Sequence, residues 1–519
     1  MSGAVKSGGI HIGRYVSNVA WSWAGVAVTV VVGFFLSPYT IHKVGDSEFG
    51  IWTLALAMVD YYWLIDLGFR SATLKYSAQY HAAGDETALN ELLSTGLLYS
   101  AISGVILFGA SFVLAPWIGA RLHIQQPVFV PLIRLVGFSW AVGLVFNRYS
   151  ACLEGFQRFD ITSRVWILTT ALRAISIALL LYFGFGIFQM GIALVACQFL
   201  GYFLNFAELQ KLFPAQRAGW GNATVAMFQR MARYGFHSFT ALISNRLLNQ
   251  GVLLLLPYFL PVRFVTYYGV PWSLLDYAMD GVSRIGMVTA PSAAALEVQG
   301  SERSLLSLAV HANRYCLTIY LPVTVLLTIY GRPFFTLWLG SGRADYCAPL
   351  LAVLLIGSTA MAGQFNSVSV LTGLGLHKTY ARSLFVEAVL CIGGLFLAVP
   401  RYGVMGAAAV VSALMFLNRG IVTAFLTARV LRIPTLQYLR RIYAVPCGVA
   451  GVSAALLLWC RWHWLPGRTW PELIAAGGIF AASYGPLAFF LCLSAHHRAF
   501  LVEKVRTSLA RFGSSSLTG

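Results

Sequence analysis

Charged and amide side chains stand inside stretches of this chain that are otherwise too apolar to meet water. Arg173 lies in the run 163–184, and Asn245, Arg246, Asn249 and Gln250 lie near the middle of 236–257. Glu387 falls in 382–399, and Asn418 and Arg419 in 403–427. Asp60, Asp66 and Arg70 belong to 48–70, and Asp276, Asp280 and Arg284 to 264–289. A charge at the centre of a bilayer costs at least about 2.5 kcal/mol and usually faces a cavity or a partner, so each of these is a functional candidate. A guanidinium either grips an anion through paired N–H bonds or cancels an embedded carboxylate and only holds helices together. A carboxylate at bilayer depth, such as Asp276, could take up a proton instead of pairing.

Spacing separates some of these readings. Asp276, Asp280 and Arg284 follow one another at intervals of four, on one face of a helix, and Asp280 is expected to pair with Arg284. All three forming one structural network is an equal alternative. Asp66 and Arg70 are also four apart, near the inner end of their run, where a surface ion pair is cheap and structural. Asp60 lies deeper and is the better pathway candidate. Glu387 with Asn418 and Arg419 could form a proton or cation site. No G-x-x-x-x-G-K-[ST] sequence is present, so the Walker route to ATP hydrolysis is excluded and an ion gradient, proton or sodium, is the expected source of energy.

The elements that must hold these groups are membrane helices. Of 519 residues 58% are hydrophobic and 10% charged, with mean hydropathy +0.73, whereas soluble chains are about a quarter charged. Fourteen runs are long enough to span: 16–37, 48–70, 92–117, 131–150, 163–184, 186–207, 236–257, 264–289, 313–331, 348–371, 382–399, 403–427, 442–460 and 471–493. Two of the pairs are separated only by Gly184 and Gly186, and by Pro400 and Gly403. The first run reads as a retained helix rather than a cleaved leader.

With the amino terminus inside, most of the 36 Lys and Arg residues fall in inner connections, so both termini are expected in the cytoplasm of a multi-pass inner-membrane protein. The +18 net charge is then a topology signal with some attraction to anionic lipid, not a nucleic-acid surface. The eight cysteines form no C-x-x-C pair or metal-ligand spacing, so neither disulfides, a metal nor another cofactor is expected.

The chain also repeats itself. Pro38-Tyr39 with Phe49-Gly50 returns as Pro257-Tyr258 with Tyr268-Gly269, and Phe146-Asn147 as Phe365-Asn366, all 219 positions on. Six spans separate the copies, so the repeat is parallel, which suits two lobes rocking about a cleft. The expected organisation is a six-helix lobe over 1–210, a linker helix on the inner leaflet over 211–235, a second six-helix lobe over 236–427, and two extra spans with a basic tail over 428–519. At the 219 offset Ala27 faces Arg246: scaffold residues persist while the polar ones have diverged.

The segment 38–90 places a helix-ending Pro38, the turn Lys43-Val44-Gly45, Phe49-Gly50, a second apolar helix, then Asp66-Leu67-Gly68 and Arg70. This order resembles the polysaccharide flippases of the MOP transporter superfamily. Their glycine and basic turn after the fourth span is similar to Leu153-Glu154-Gly155-Phe156-Gln157-Arg158, and again to Gly373-Leu374-Gly375-Leu376-His377-Lys378. The resemblance covers essentially the whole chain. It implies an all-α membrane fold of about fourteen helices and a transporter, not an enzyme. It also implies a cargo of undecaprenyl-pyrophosphate-linked oligosaccharide, an O-antigen or exopolysaccharide repeat unit, moved from the inner to the outer leaflet by alternating access.

On that reading Arg246 and Arg173 would meet the phosphates, and Asn245, Asn249 and Gln250 the sugar hydroxyls. Membrane lipids and a polysaccharide polymerase would be the partners. An exporter of drugs or organic cations from the same superfamily is the alternative, though Arg173, Arg246 and Arg419 would repel a cation. A flippase for a lipid-linked peptidoglycan precursor differs only in cargo. An enzyme acting on the same carrier lacks support, since no D-x-D sequence and no large outer loop are present.

Overall fold

The computed structural model describes residues 12–215, 220–298, 302–495 and 497–499, together with Glu503. The side chains of Asp60, Asn245, Arg246, Asn249 and Arg284 lie outside the described residues, as does the tail beyond Glu503. Among the described residues there is no strand.

The helices are α1 (Ile12–Val44), α2 (Asp46–Asp60), α3 (Phe69–Ala83), α4 (Glu86–Arg121), α5 (Phe129–Gly155), α6 (Phe159–Tyr182), α7 (Ile187–Leu212) and α8 (Val225–Phe259). They continue as α9 (Arg263–Val298), α10 (Glu302–Leu339), α11 (Ser341–Ala362), α12 (Phe365–Gly373), α13 (His377–Leu414), α14 (Thr423–Val430), α15 (Thr435–His463) and α16 (Trp470–Leu487). A 3-10 turn, Tyr61–Leu64, follows α2, and a wide π-helical segment, Met415–Val422, joins α13 to α14.

The expected spans fall on helices with two exceptions: 48–70 is broken by the turn between α2 and α3, and 348–371 by the short break between α11 and α12. Among the described residues ten helical segments are long and apolar enough to cross a bilayer, and one of them, Lys378–Val430, carries both 382–399 and 403–427. The break expected at Gly184 is a true helix end, because Gly184 takes φ 82°, a left-handed conformation that costs glycine little. The break at Gly403 is instead a kink inside α13, with φ 59° and ψ −147°. The conserved offset of Pro38 and Pro257 also has a structural counterpart: both prolines sit within the last two turns of their helices, α1 and α8.

The chain divides into two compact units, Met1–Thr266 and Tyr267–Gly519. In the first, α3, α4, α5 and the start of α8 surround Phe69, Leu92, Leu93, Leu153, Leu209, Met227 and Met231. Within the segment expected as a linker helix over 211–235, α7 ends at Leu212, and α8 begins at Val225 and runs without a break to Phe259. Thr224 caps that helix by accepting from the Met227 amide at 3.1 Å. In the second unit α15 and α16 pack on α10 around Tyr438, Ile442, Leu457, Phe480 and Tyr484, so the two helices beyond the repeat are built into its core.

Outer faces are apolar. On α13, Leu384, Glu387, Ala388, Cys391 and Leu395 are buried, while Val386, Val389, Leu390 and Leu397 are more than half exposed. A soluble helix would reverse that arrangement; lipid tails solvate the exposed face here.

Candidate functional site

Two buried charge clusters stand out, one in each unit. In the first unit the turn between α2 and α3 carries Asp66, Leu67 and Gly68, and Leu67 and Gly68 take φ 47° and 79°. A Cβ on Gly68 would lie 2.7 Å from the Gly235 Cα, and one on Gly235 would lie 2.2 Å from the Leu67 carbonyl. Backbone therefore meets backbone where α8 crosses the turn, and two glycines are what permit it. The turn is tied further by Tyr99, whose hydroxyl donates to the Ile65 carbonyl at 2.5 Å and whose ring stacks on Phe69 at 3.9 Å.

That turn aims Asp66 into the unit. One Asp66 oxygen accepts from the Arg148 guanidinium, and the other accepts from the Arg70 amide at 2.8 Å, closing the first turn of α3. Arg148 Nε donates to the Ser100 hydroxyl at 2.8 Å, while Arg148 Nη1 meets no acceptor among the described residues. The side chains of Arg148 and Asp66 are 1% and 5% exposed. Arg70 reaches elsewhere, to Glu154 at 2.7 Å.

The expected Asp66–Arg70 surface pair is thus corrected. The i,i+4 spacing presumes one continuous helix, whereas Asp66 precedes the first turn of α3 and faces inward while Arg70 lies at the rim. Arg148, near the inner end of the run 131–150, is one of the largest fully buried side chains. Gly155, in the glycine-plus-basic motif, has a packing role: a Cβ there would stand 2.8 Å from the Leu74 carbonyl, so α5 could not lie against α3.

In the second unit the structure brings together Glu387, Asn418 and Arg419. Arg419 Nε donates to both Glu387 oxygens at 3.0 and 3.3 Å, and Asn418 Nδ2 donates to Glu387 Oε2 at 2.7 Å and to the Ser383 carbonyl at 3.3 Å. Arg419 Nη1 lies 3.4 Å from the Met361 sulfur. Both charged side chains are buried, at 9% and 1% exposure for Arg419 and Glu387. The wide segment makes this possible: the Thr423 amide donates to the Asn418 carbonyl, five residues back, and such turns are frequent at functional sites.

Other expected positions are dispersed. Arg173 is half-buried on α6, and Asp276 and Asp280 share an exposed face of α9. Gln250 is half-buried on α8, beside Gly251, whose Cβ position is 3.6 Å from the Tyr61 hydroxyl. That contact sets the Tyr61 ring against α8.

A neutral network was not foreseen. Asn313 donates to the Ser367 hydroxyl at 2.8 Å and the Tyr438 hydroxyl at 3.0 Å, and its carbonyl oxygen receives the amides of Asn366 and Ser367. Its one sequence signal is the repeat. Phe146-Asn147-Arg148 matches Phe365-Asn366-Ser367, so the second copy keeps a buried polar centre but puts a hydroxyl where the first has a guanidinium.

With this geometry in hand, similarity to known proteins is informative. The family described as "Polysaccharide biosynthesis protein" matches residues 44–347. The chain is 23% identical to the Uncharacterized membrane protein EpsK of Bacillus subtilis (strain 168), over 95% of this chain and 98% of that one. It is 19% identical to a Putative O-antigen transporter of Shigella flexneri, over 76% and 93%. Among solved structures, the lipid II flippase MurJ in an inward closed conformation aligns with TM-score 0.66 at 12% identity, over 92% and 98% of the two chains. An inward-facing multidrug resistance MATE family transporter of the MOP superfamily aligns with TM-score 0.64 at 14% identity, over 78% and 98%. The fold is that of the MOP superfamily.

Proposed function

We propose that this chain, which belongs to the family of polysaccharide biosynthesis proteins, carries an undecaprenyl-pyrophosphate-linked oligosaccharide from the inner to the outer leaflet. The family match supports transport for polysaccharide assembly, and the observation that points to an anionic carrier is the pair of arginines, Arg173 and Arg246, embedded in expected spans. Guanidinium groups are suited to paired contacts with a pyrophosphate and unsuited to a cationic drug. The parallel repeat supports alternating access between two lobes.

The chain's role is moving its cargo rather than altering it. Both termini lie in the cytoplasm of a bacterial inner membrane on this reading, and a polymerase acts on the cargo after delivery. Coupling to a proton or sodium gradient is assigned to the Glu387–Asn418–Arg419 cluster, where a carboxylate buried beside a cation has two competing partners. Transport that ignores both gradients removes this assignment.

The deciding experiment is deletion of the gene followed by analysis of lipid-linked intermediates. Accumulation of the oligosaccharide lipid on the inner leaflet with loss of surface glycan supports the reading. A dye-efflux defect with surface glycan intact replaces it with organic-cation export, and stalled wall synthesis replaces the cargo with a peptidoglycan precursor.

A further inference from the structure

A cleft of about 470 Å³ opens between α3 and the first turns of α8, on the side that the distribution of Lys and Arg assigns to the cytoplasm. It is lined by Tyr76 from α3 and by Ala226, Gln229, Arg230, Arg233 and Tyr234 from α8. That volume lies within the roughly 300–1,000 Å³ of small-ligand sites. The basic groups are not scattered around it. Arg230 Nη1 donates to the Tyr80 hydroxyl at 2.8 Å, and Lys75 Nζ stands 4.3 Å from the centre of the Tyr234 ring and 5.3 Å from that of Tyr76. The rings of Tyr76 and Tyr234 are 6.0 Å apart, so three cations are arrayed about a frame of tyrosines.

The same turns of α8 have a second character. Met227 and Met231 are buried in the core, while Val225 is 72% and Phe228 39% exposed. Apolar side chains projecting beside a basic cleft are the pattern of a helix lying at the boundary of acyl chains and headgroups. Among the described residues Glu91 is a carboxylate whose charge reaches Arg230, and the Thr224 hydroxyl at the helix cap donates to it.

We propose that this cleft binds the anionic phosphate group of a membrane lipid, with Arg230 and Arg233 contacting the phosphate oxygens, Lys75 supplying charge behind the tyrosines, and Val225 and Phe228 meeting the acyl chains. Arginine forks match phosphate geometry, and anionic headgroups concentrate at the inner leaflet surface. Two lipids carry this chemistry: a bilayer phospholipid such as phosphatidylglycerol, and a polyprenyl pyrophosphate carrier. The first is independent of the transport reading and the second rests on it; occupancy is read as binding and not as movement of cargo, so failure of the site and failure of that reading are told apart.

The test is native mass spectrometry of the purified full chain titrated with dihexanoyl phosphatidylglycerol, farnesyl pyrophosphate or dihexanoyl phosphatidylcholine, for the wild type and for Arg230→Gln/Arg233→Gln. The expected result is saturable binding of an anionic probe, weakened about tenfold or more in the variant as charged hydrogen bonds are lost, with phosphatidylcholine bound more weakly than either. Preference for phosphatidylglycerol identifies a bilayer lipid, and preference for farnesyl pyrophosphate identifies the carrier. Equal affinity in the variant, or equal binding of phosphatidylcholine, overturns the proposal. If the double variant does not fold, Arg233→Gln alone leaves the Arg230–Tyr80 bond in place and is expected to weaken anionic probes about threefold; no change overturns the proposal equally.

Discussion

The guanidinium of Arg148 in α5 and the carboxylate of Asp66 in the turn before α3 form a buried ion pair between residues 82 positions apart. One end of this pair also closes the first turn of α3, through the Arg70 amide, and the other is held by Ser100 of α4. Three helices thus share one charged junction.

Breaking this junction from either side strands a charge. Asp66→Asn or Arg148→Met alone is expected to destabilise the protein by about 3–5 kcal/mol, and the double variant by clearly less than the two losses added. Thermal unfolding in detergent measures it. Additive losses would show that the two residues act independently.

The crossing of α8 over the Asp66–Gly68 turn depends on bare backbone. Gly235→Ala is expected to cost about 1–3 kcal/mol through overpacking, because its Cβ would stand 2.2 Å from the Leu67 carbonyl. Gly448→Ala on α15, where nothing lies within 4 Å, is expected to be neutral or slightly stabilising. Membrane abundance and thermal unfolding of the two variants compare them directly.

The cluster on α13 permits a test that separates structure from coupling. Glu387→Gln leaves Arg419 buried without its counter-charge and is expected to lower stability by about 3–5 kcal/mol. Glu387→Gln/Arg419→Met recovers most of that loss. If the pair also couples transport to a gradient, the recovered double variant moves cargo down its own gradient but no longer responds to an imposed proton or sodium gradient in vesicles. A response like that of the wild type restricts the pair to structure.

Arg246→Ala and Arg173→Ala are expected to abolish transport at normal membrane abundance, read from surface glycan and from immunoblots of membranes. Retained surface glycan in either variant removes that residue from the pathway.

What could be read in the sequence follows the range of the interactions. Helices were legible because a span needs only a contiguous apolar run, and Gly184 because a left-handed residue ends a helix locally. The meeting of Glu387 with Asn418 and Arg419 was legible because consecutive spans joined at a kink must lie side by side. Arg148 with Asp66 was not: the local i,i+4 rule points Asp66 to Arg70, and only the packing of α5 against the turn supplies the stronger partner. The Asn313–Ser367–Tyr438 network was missed for a different reason. Neutral polar residues are common in membrane helices, and nothing in their spacing marks those that converge.

The wide segment Met415–Val422 carries one residue more than regular helix requires, and one residue amounts to about 100° of rotation. The wide turn absorbs that residue, so α14 keeps Thr423, Ala424, Thr427 and Ala428 on its buried face. Removing a single amino acid here would let the segment close to regular helix with α14 still in phase, and what would be lost is the widened turn from which Asn418 and Arg419 both reach Glu387.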